Sequence, residues 1–186
     1  MTKEFLPTSE TELEEIASRL DIYGWDSVVY VSSDKKVVYK VYQTFGREVD
    51  LITKYSDLLN QSAKWKVFHW GSFSNGTRFT YRAEPVIATG QIDWGRSKVP
   101  IALQRYIPGQ TISDLFDNPI EMENSEIFQS MEGASDILKR EFSNRGIDIG
   151  VQNVKIVSKK EGNFEFVITD LCTYIRRLIG KNPDYI

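Results

Sequence analysis

The chain has 186 residues, 41% hydrophobic and 12% aromatic, enough apolar material for one domain or two small lobes with a real core, which excludes global disorder. Its 23 Lys and Arg stand against 26 Asp and Glu, and a net charge of −3 argues against a nucleic-acid-binding surface. No apolar run reaches the roughly 20 residues a membrane-spanning helix needs.

From the N-terminus, Ser9 and Glu12 form a capping-box pattern that predicts a helix over about 11–20, with Leu13, Ile16 and Leu20 as its apolar stripe. Two β-rich runs, Ser27 to Ser32 and Val37 to Tyr42, flank Ser33-Asp34-Lys35 and read as a hairpin. A second helix is expected from Gly46 to Leu59. The aromatic, glycine-punctuated stretch from Trp65 to Trp94 reads as further antiparallel sheet, with Trp65, Phe68, Trp70, Phe73, Phe79 and Tyr81 as its core and His69 packed among them. Val99 to Ile107 is another strand, ended by Pro108-Gly109.

Beyond it a short helix is expected over Thr111 to Phe116, broken by Asn118-Pro119. A longer helix follows from Ser125 to Phe142, with Ile127, Met131, Ala134 and Leu138 on one face. Strands at Val154 to Val157 and Phe164 to Thr169 flank a turn over Lys159 to Asn163. The order of elements is that of an α+β fold. It divides into an N-terminal part, 1–107, with a helix, a sheet and a second helix, and a C-terminal part, 108–186, that is mainly helical with a late hairpin.

The chemistry-bearing residues are polar groups at defined intervals. With one histidine, His69, and one cysteine, Cys172, the sequence lacks the set for a zinc cluster, a Ser-His-Asp triad or an internal disulfide. Gly146-Ile147-Asp148-Ile149-Gly150-Val151-Gln152-Asn153 sets an Asp five residues before an Asn, and Asp170 follows the late hairpin. Phosphoryl transfer needs a carboxylate to position or deprotonate the attacking hydroxyl, and hard oxygen ligands for magnesium. Asp148, Asn153 and Asp170 are of those types in that order.

On these residues the chain resembles the protein-kinase-like superfamily, in a form similar to the minimal kinases of bacterial effectors and mobile elements. The N-terminal half extends the resemblance. Val37-Val38-Tyr39-Lys40-Val41-Tyr42 is similar to the family's Val-Ala-Ile-Lys strand, and Glu48 lies on the following helix in line with Ile52, Tyr55 and Leu59. The resemblance implies a two-lobed fold, ATP and Mg²⁺ as ligands, and transfer of the γ-phosphate to a hydroxyl, with a protein Ser/Thr preferred over a small molecule. In that reading Asp148 is the catalytic base, Lys40 holds the phosphates with Glu48 bracing it, and Asn153 and Asp170 hold the metal. Gly24 and Ser27 are the expected phosphate-loop contacts, and the backbone near Arg105 and Ile107 would read the adenine edge. The expected setting is a cytosol, the cell's own or a host's, with no secretory leader behind Met1-Thr2-Lys3-Glu4.

The chain departs from the family pattern in several places. One glycine, Gly24, stands where the phosphate loop has several, and Gly146-Ile147-Asp148 replaces His-Arg-Asp. Gly150 stands where many Ser/Thr kinases have a Lys, and Asp170-Leu171-Cys172 replaces Asp-Phe-Gly. Sixteen residues after Asp170 leave no room for an activation segment. The alternative implied by these departures is a pseudokinase-like module that binds nucleotide and acts by docking a partner. Arg176 and Arg177 read as a charged helix end, and Cys172 as a small packing residue.

Overall fold

The computed structural model describes residues 6–20, 27–42, 49–142, 149–160 and 162–170. The fold is α+β, with two five-stranded sheets and four α-helices among the described residues. By internal contacts the chain forms two compact units: residues 1–57 with 85–106, and residues 58–84 with 107–186.

The first unit begins with α1 (Glu10–Ile16). Ser9 caps it by accepting the Glu12 amide at 3.2 Å, and the Glu12 carboxylate returns to the Thr8 amide at 2.7 Å, so the sequence signature acts one residue wider than a standard box. The helix is shorter than expected. Its C-cap Ala17 is extended, and β1 (Ala17–Arg19) pairs antiparallel with β2 (Val28–Ser32), so the second half of the predicted helix is strand. Sheet hydrogen bonding outweighs helix propensity there, and Ile16, expected in the apolar stripe, is 39% exposed while Leu13 is fully buried.

Strand β3 (Val37–Val41) pairs with β2 across a turn in which Asp34 accepts from the Ser32 hydroxyl and the Lys36 amide. Helix α2 (Val49–Ala63) follows, overlapping the predicted span, and its chain passes from the first unit into the second. The sheet is completed by β6 (Val86–Trp94) and β7 (Ser97–Arg105), in the order β1-β2-β3-β7-β6, antiparallel throughout. One face carries an aliphatic and tyrosine core built from Leu13, Tyr30, Tyr39, Val41, Ile92, Ile101 and Leu103. Burying each of the large aliphatic side chains contributes about 1.5–3 kcal/mol.

The second unit holds β4 (His69–Ser72), β5 (Arg78–Ala83), β8 (Gln110–Thr111), β9 (Val154–Lys160) and β10 (Asn163–Ile168) in the order β4-β5-β10-β9-β8. Strands β5 and β10 run parallel, in register from Arg78 opposite Asn163 to Ala83 opposite Ile168. The β4–β5 hairpin therefore belongs with the late hairpin and not with the N-terminal sheet, and this unit is richer in strand than the mainly helical part expected. The cause is the aromatic face: Tyr81 stacks on Phe166 with centroids 4.6 Å apart, and Phe79 lies against Phe73 at 4.9 Å. Trp70, expected in this core, is 77% exposed, because strand alternation puts it on the opposite face of β4 from His69.

Two helices complete the unit. Asn118 caps α3 (Pro119–Glu123), and Ser125 caps α4 (Glu126–Glu141), whose buried face is Met131, Ala134 and Leu138. Helix α4 packs on β4 closely enough that a Cβ on Gly133 would lie 3.1 Å from His69 Nε2. The Tyr81 hydroxyl meets Ser130 Oγ at 2.7 Å in the same interface.

Candidate functional site

The expected metal ligands Asn153 and Asp170 lie at the base of the β9–β10 hairpin, where the backbone of Asn153 is bonded to Thr169. A 3₁₀ turn, Val151–Asn153, leads into β9, with the Asn153 amide donating to the Gly150 carbonyl at 2.8 Å. The Asn153 carbonyl then accepts twice from Thr169, from its amide at 2.8 Å and its hydroxyl at 3.1 Å. Val154 pairs with Ile168 just inside this latch. The base of the hairpin thus fixes the backbone of Asn153 against the residue preceding Asp170. Asp170 is 9% exposed and Asn153 partly buried. A carboxylate and a carboxamide are hard oxygen donors of the kind magnesium takes, so this pair fits such an ion chemically. Among the described residues no three His, Cys, Asp or Glu side chains cluster as a metal site.

Lys40 sits in the middle of β3, between Val29 of β2 and Ala102 of β7. Val37, Tyr39 and Val41 alternate with it and face the aliphatic core, so Lys40 points to the other face of the sheet. It is 7% exposed there, and Gln104, opposite Val38 on the same face, is 2% exposed. A lysine held this deep in a sheet differs from the solvent-facing lysine common in strands, since burying an ammonium without compensation is costly. The surrounding strand pattern signals its position; its depth is visible only in three dimensions.

The segment after β7 is the expected adenine-reading stretch. Arg105 closes β7 opposite Val37 and is exposed, and the Tyr106 amide donates to the Lys36 carbonyl at 2.7 Å. Ile107 is partly buried, and the division between the two units falls between Tyr106 and Ile107. Gly109 follows with φ of +124°, and a side chain there would collide with the Ile156 carbonyl of β9, so only glycine fits this approach. Ser27 precedes β2 and is partly buried. Asp148, Glu48 and Gly24, with Cys172, Arg176 and Arg177, lie outside the described residues.

A feature not read from the sequence is a cavity of about 490 Å³ in the second unit, between α3, α4 and the stretch Ile149 to Gln152 that separates Asp148 from Asn153. Its apolar lining is Met122, Phe128, Met131, Ile149 and Val151. The sequence signal available for it was Met122 and Phe128, apolar residues near Met131 that the helix pattern left unassigned. His69, by contrast, is structural. It lies between the rings of Phe79 and Tyr81, at 5.4 and 5.7 Å, and burial lowers its pKa while the Ser130 carbonyl partly opposes that.

No protein-family model matches the chain, and a search of curated proteins finds no significant relative. No helix among the described residues is long and apolar enough to cross a membrane.

Proposed function

We propose that the chain is an ATP-dependent phosphotransferase of minimal protein-kinase type, acting on a hydroxyl, with protein Ser/Thr as the preferred acceptor. The observation that carries this reading is the Asn153–Thr169 latch, which fixes the backbone of Asn153 beside the residue that precedes Asp170 at one end of a hairpin. The depth of Lys40 in an antiparallel sheet, on the face opposite its aliphatic and tyrosine core, supports it. In this reading the N-terminal sheet and α2 form one lobe and the second unit the other.

The residues divide the work by their chemistry. Asp148 orients the acceptor hydroxyl and takes its proton as the new P–O bond forms, while the bond from the γ-phosphorus to the β,γ-bridging oxygen breaks and ADP leaves. Lys40 neutralises the nucleotide phosphates, and Glu48 holds the ammonium in place. Asn153 and Asp170 would hold Mg²⁺, which when bound offsets charge on the phosphate oxygens. Ser27, Gly24 and the backbone near Arg105 and Ile107 would contact the nucleotide.

Incubating the purified chain with γ-labelled ATP, Mg²⁺ and a cell lysate tests this. Transfer of label to the chain itself or to lysate proteins is expected, with Asp148→Ala reducing it about 10²–10⁴-fold. Transfer at the same rate in Asp148→Ala and Asp170→Ala overturns the assignment. The single phosphate-loop glycine and Asp170-Leu171-Cys172 favour a second reading, a nucleotide-binding module without catalysis. That reading predicts a thermal shift with ATP and Mg²⁺ and no transfer, since ligand bound only to the native state raises stability.

A further inference from the structure

We infer that the α3–α4 surface of the second unit docks a basic, amphipathic segment of a partner protein, whose apolar side chain seats in the cavity beside Ile149. The cavity, at about 490 Å³, has room for a large aliphatic or aromatic side chain, and Met122, Phe128, Met131, Ile149 and Val151 give it an apolar part beside the polar groups of α4. Methionine and phenylalanine linings adapt to differently shaped anchors. Ile120 on the same short helix is 67% exposed and extends the apolar surface outside the cavity.

The charge around the cavity selects the flanking residues of the occupant. Between Arg105 and Lys139 the sequence carries seven Asp and Glu and no Lys or Arg, although the whole chain is only at −3, so negative charge is concentrated on this segment. Two of the seven are committed to the fold. Asp114 accepts the Thr111 amide at 2.7 Å and Glu126 the Ser74 amide at 2.6 Å, and both have lowered pKa values from those bonds. Glu121 and Glu123 on α3 and Glu132 on α4 are exposed. Glu132 and Asp136 line the cavity together with Lys139, which offsets only Asp136, at 3.5 Å.

Negative charge spread over two helices around a cavity with an apolar wall on one part and polar groups on the rest is complementary to an extended object, with cationic groups on either side of an apolar anchor. Such complementarity raises the association rate and discriminates against acidic partners. Every residue that lines the cavity lies within the second unit.

Fluorescence anisotropy of the full chain with a labelled synthetic peptide, one leucine flanked on each side by two arginines, tests this without nucleotide or metal. Saturable binding is expected. It should weaken about tenfold or more in Glu132→Lys, weaken similarly when the peptide leucine is replaced by serine, and fall with added salt. Glu132 is exposed, so its replacement leaves the fold intact, which circular dichroism checks. Absence of binding, equal binding of a peptide with glutamates in place of arginines, or indifference to Glu132→Lys overturns the inference. Equal binding of the serine peptide also overturns it, because charge alone would then suffice. Binding that emerges only in an Arg176→Glu/Arg177→Glu variant overturns it too, by showing that the chain's own C-terminal segment, and not a partner, covers this surface.

Discussion

The two sheets bury polar groups in opposite ways. In the second unit the Tyr81 hydroxyl is buried among aromatic rings and meets Ser130 at 2.7 Å, and Ser130 in turn donates to the Ile127 carbonyl at 2.8 Å. Burial raises the Tyr81 pKa far above the usual phenol range, so the group stays neutral at any physiological pH. In the first unit the core face is aliphatic and tyrosine-lined, and the polar side chains Lys40 and Gln104 are buried on the other face. A neutral, locally satisfied hydroxyl serves packing. A lysine ammonium at similar depth is a poor choice for packing and a good one for meeting phosphate.

The sharpest way to break this comparison is to remove each group in turn. Tyr81→Ala should destabilise the second unit by about 3–5 kcal/mol, through loss of its ring and the space left behind. Tyr81→Phe should cost only about 1–2 kcal/mol, since Ser130 keeps its bond to Ile127. Denaturant titration followed by tryptophan fluorescence measures both. In the reading in which Glu48 braces the ammonium, Lys40→Met leaves that carboxylate without its partner and should cost about 3–5 kcal/mol. The same variant should lose the thermal shift with ATP and Mg²⁺. A thermal shift with ATP and Mg²⁺ that survives in Lys40→Met would make Lys40 a structural residue like Tyr81 and dissolve the contrast.

Smaller effects refine it. Ser9→Ala removes the α1 cap and should cost about 1 kcal/mol in the first unit alone. His69 should give the second unit a pH dependence the first lacks. Its folded pKa is lowered by burial, so the unfolded chain takes up the proton first as the medium acidifies. The His69 contribution to stability is therefore present above the ordinary imidazole pKa and is lost as pH falls from that value through the lower, folded one. Melting temperatures recorded across that range, with His69→Gln as the reference, should show a shallower slope in the variant.

The sequence made legible the elements whose signals are local. Strands β2 and β3, helix α4 and the β9–β10 hairpin fall within a few residues of their expected bounds, because alternation, Ser125 as cap and the turn around Gly162 all act over short distances. The same locality explains why Asn153 and Asp170, expected on either side of the late hairpin, lie at its base. What escaped was non-local. The β5–β10 pairing joins Tyr81 to Phe166 across most of the C-terminal half, and no pattern within either strand specifies a parallel partner. Strand β1 was hidden because Ala17–Arg19 continues a helical-looking run, and two-residue β8 is too short to carry any period. The cavity was illegible for a related reason, since its lining comes from two helices and a loop whose packing only the fold determines.

Because the paired carbonyl and hydroxyl bonds sit at the root of the late hairpin, the two oxygen-bearing side chains beside them are insulated from its tip. The tip carries Gly162 with φ of +76°, whose carbonyl accepts the Arg78 amide of β5 at 2.9 Å, and a bulge between Glu165 and Phe166 lies between it and the root. A change of length at the tip therefore has to pass the β5 pairing and the bulge before it reaches the root, where the backbone beside Asp170 is bonded to Asn153.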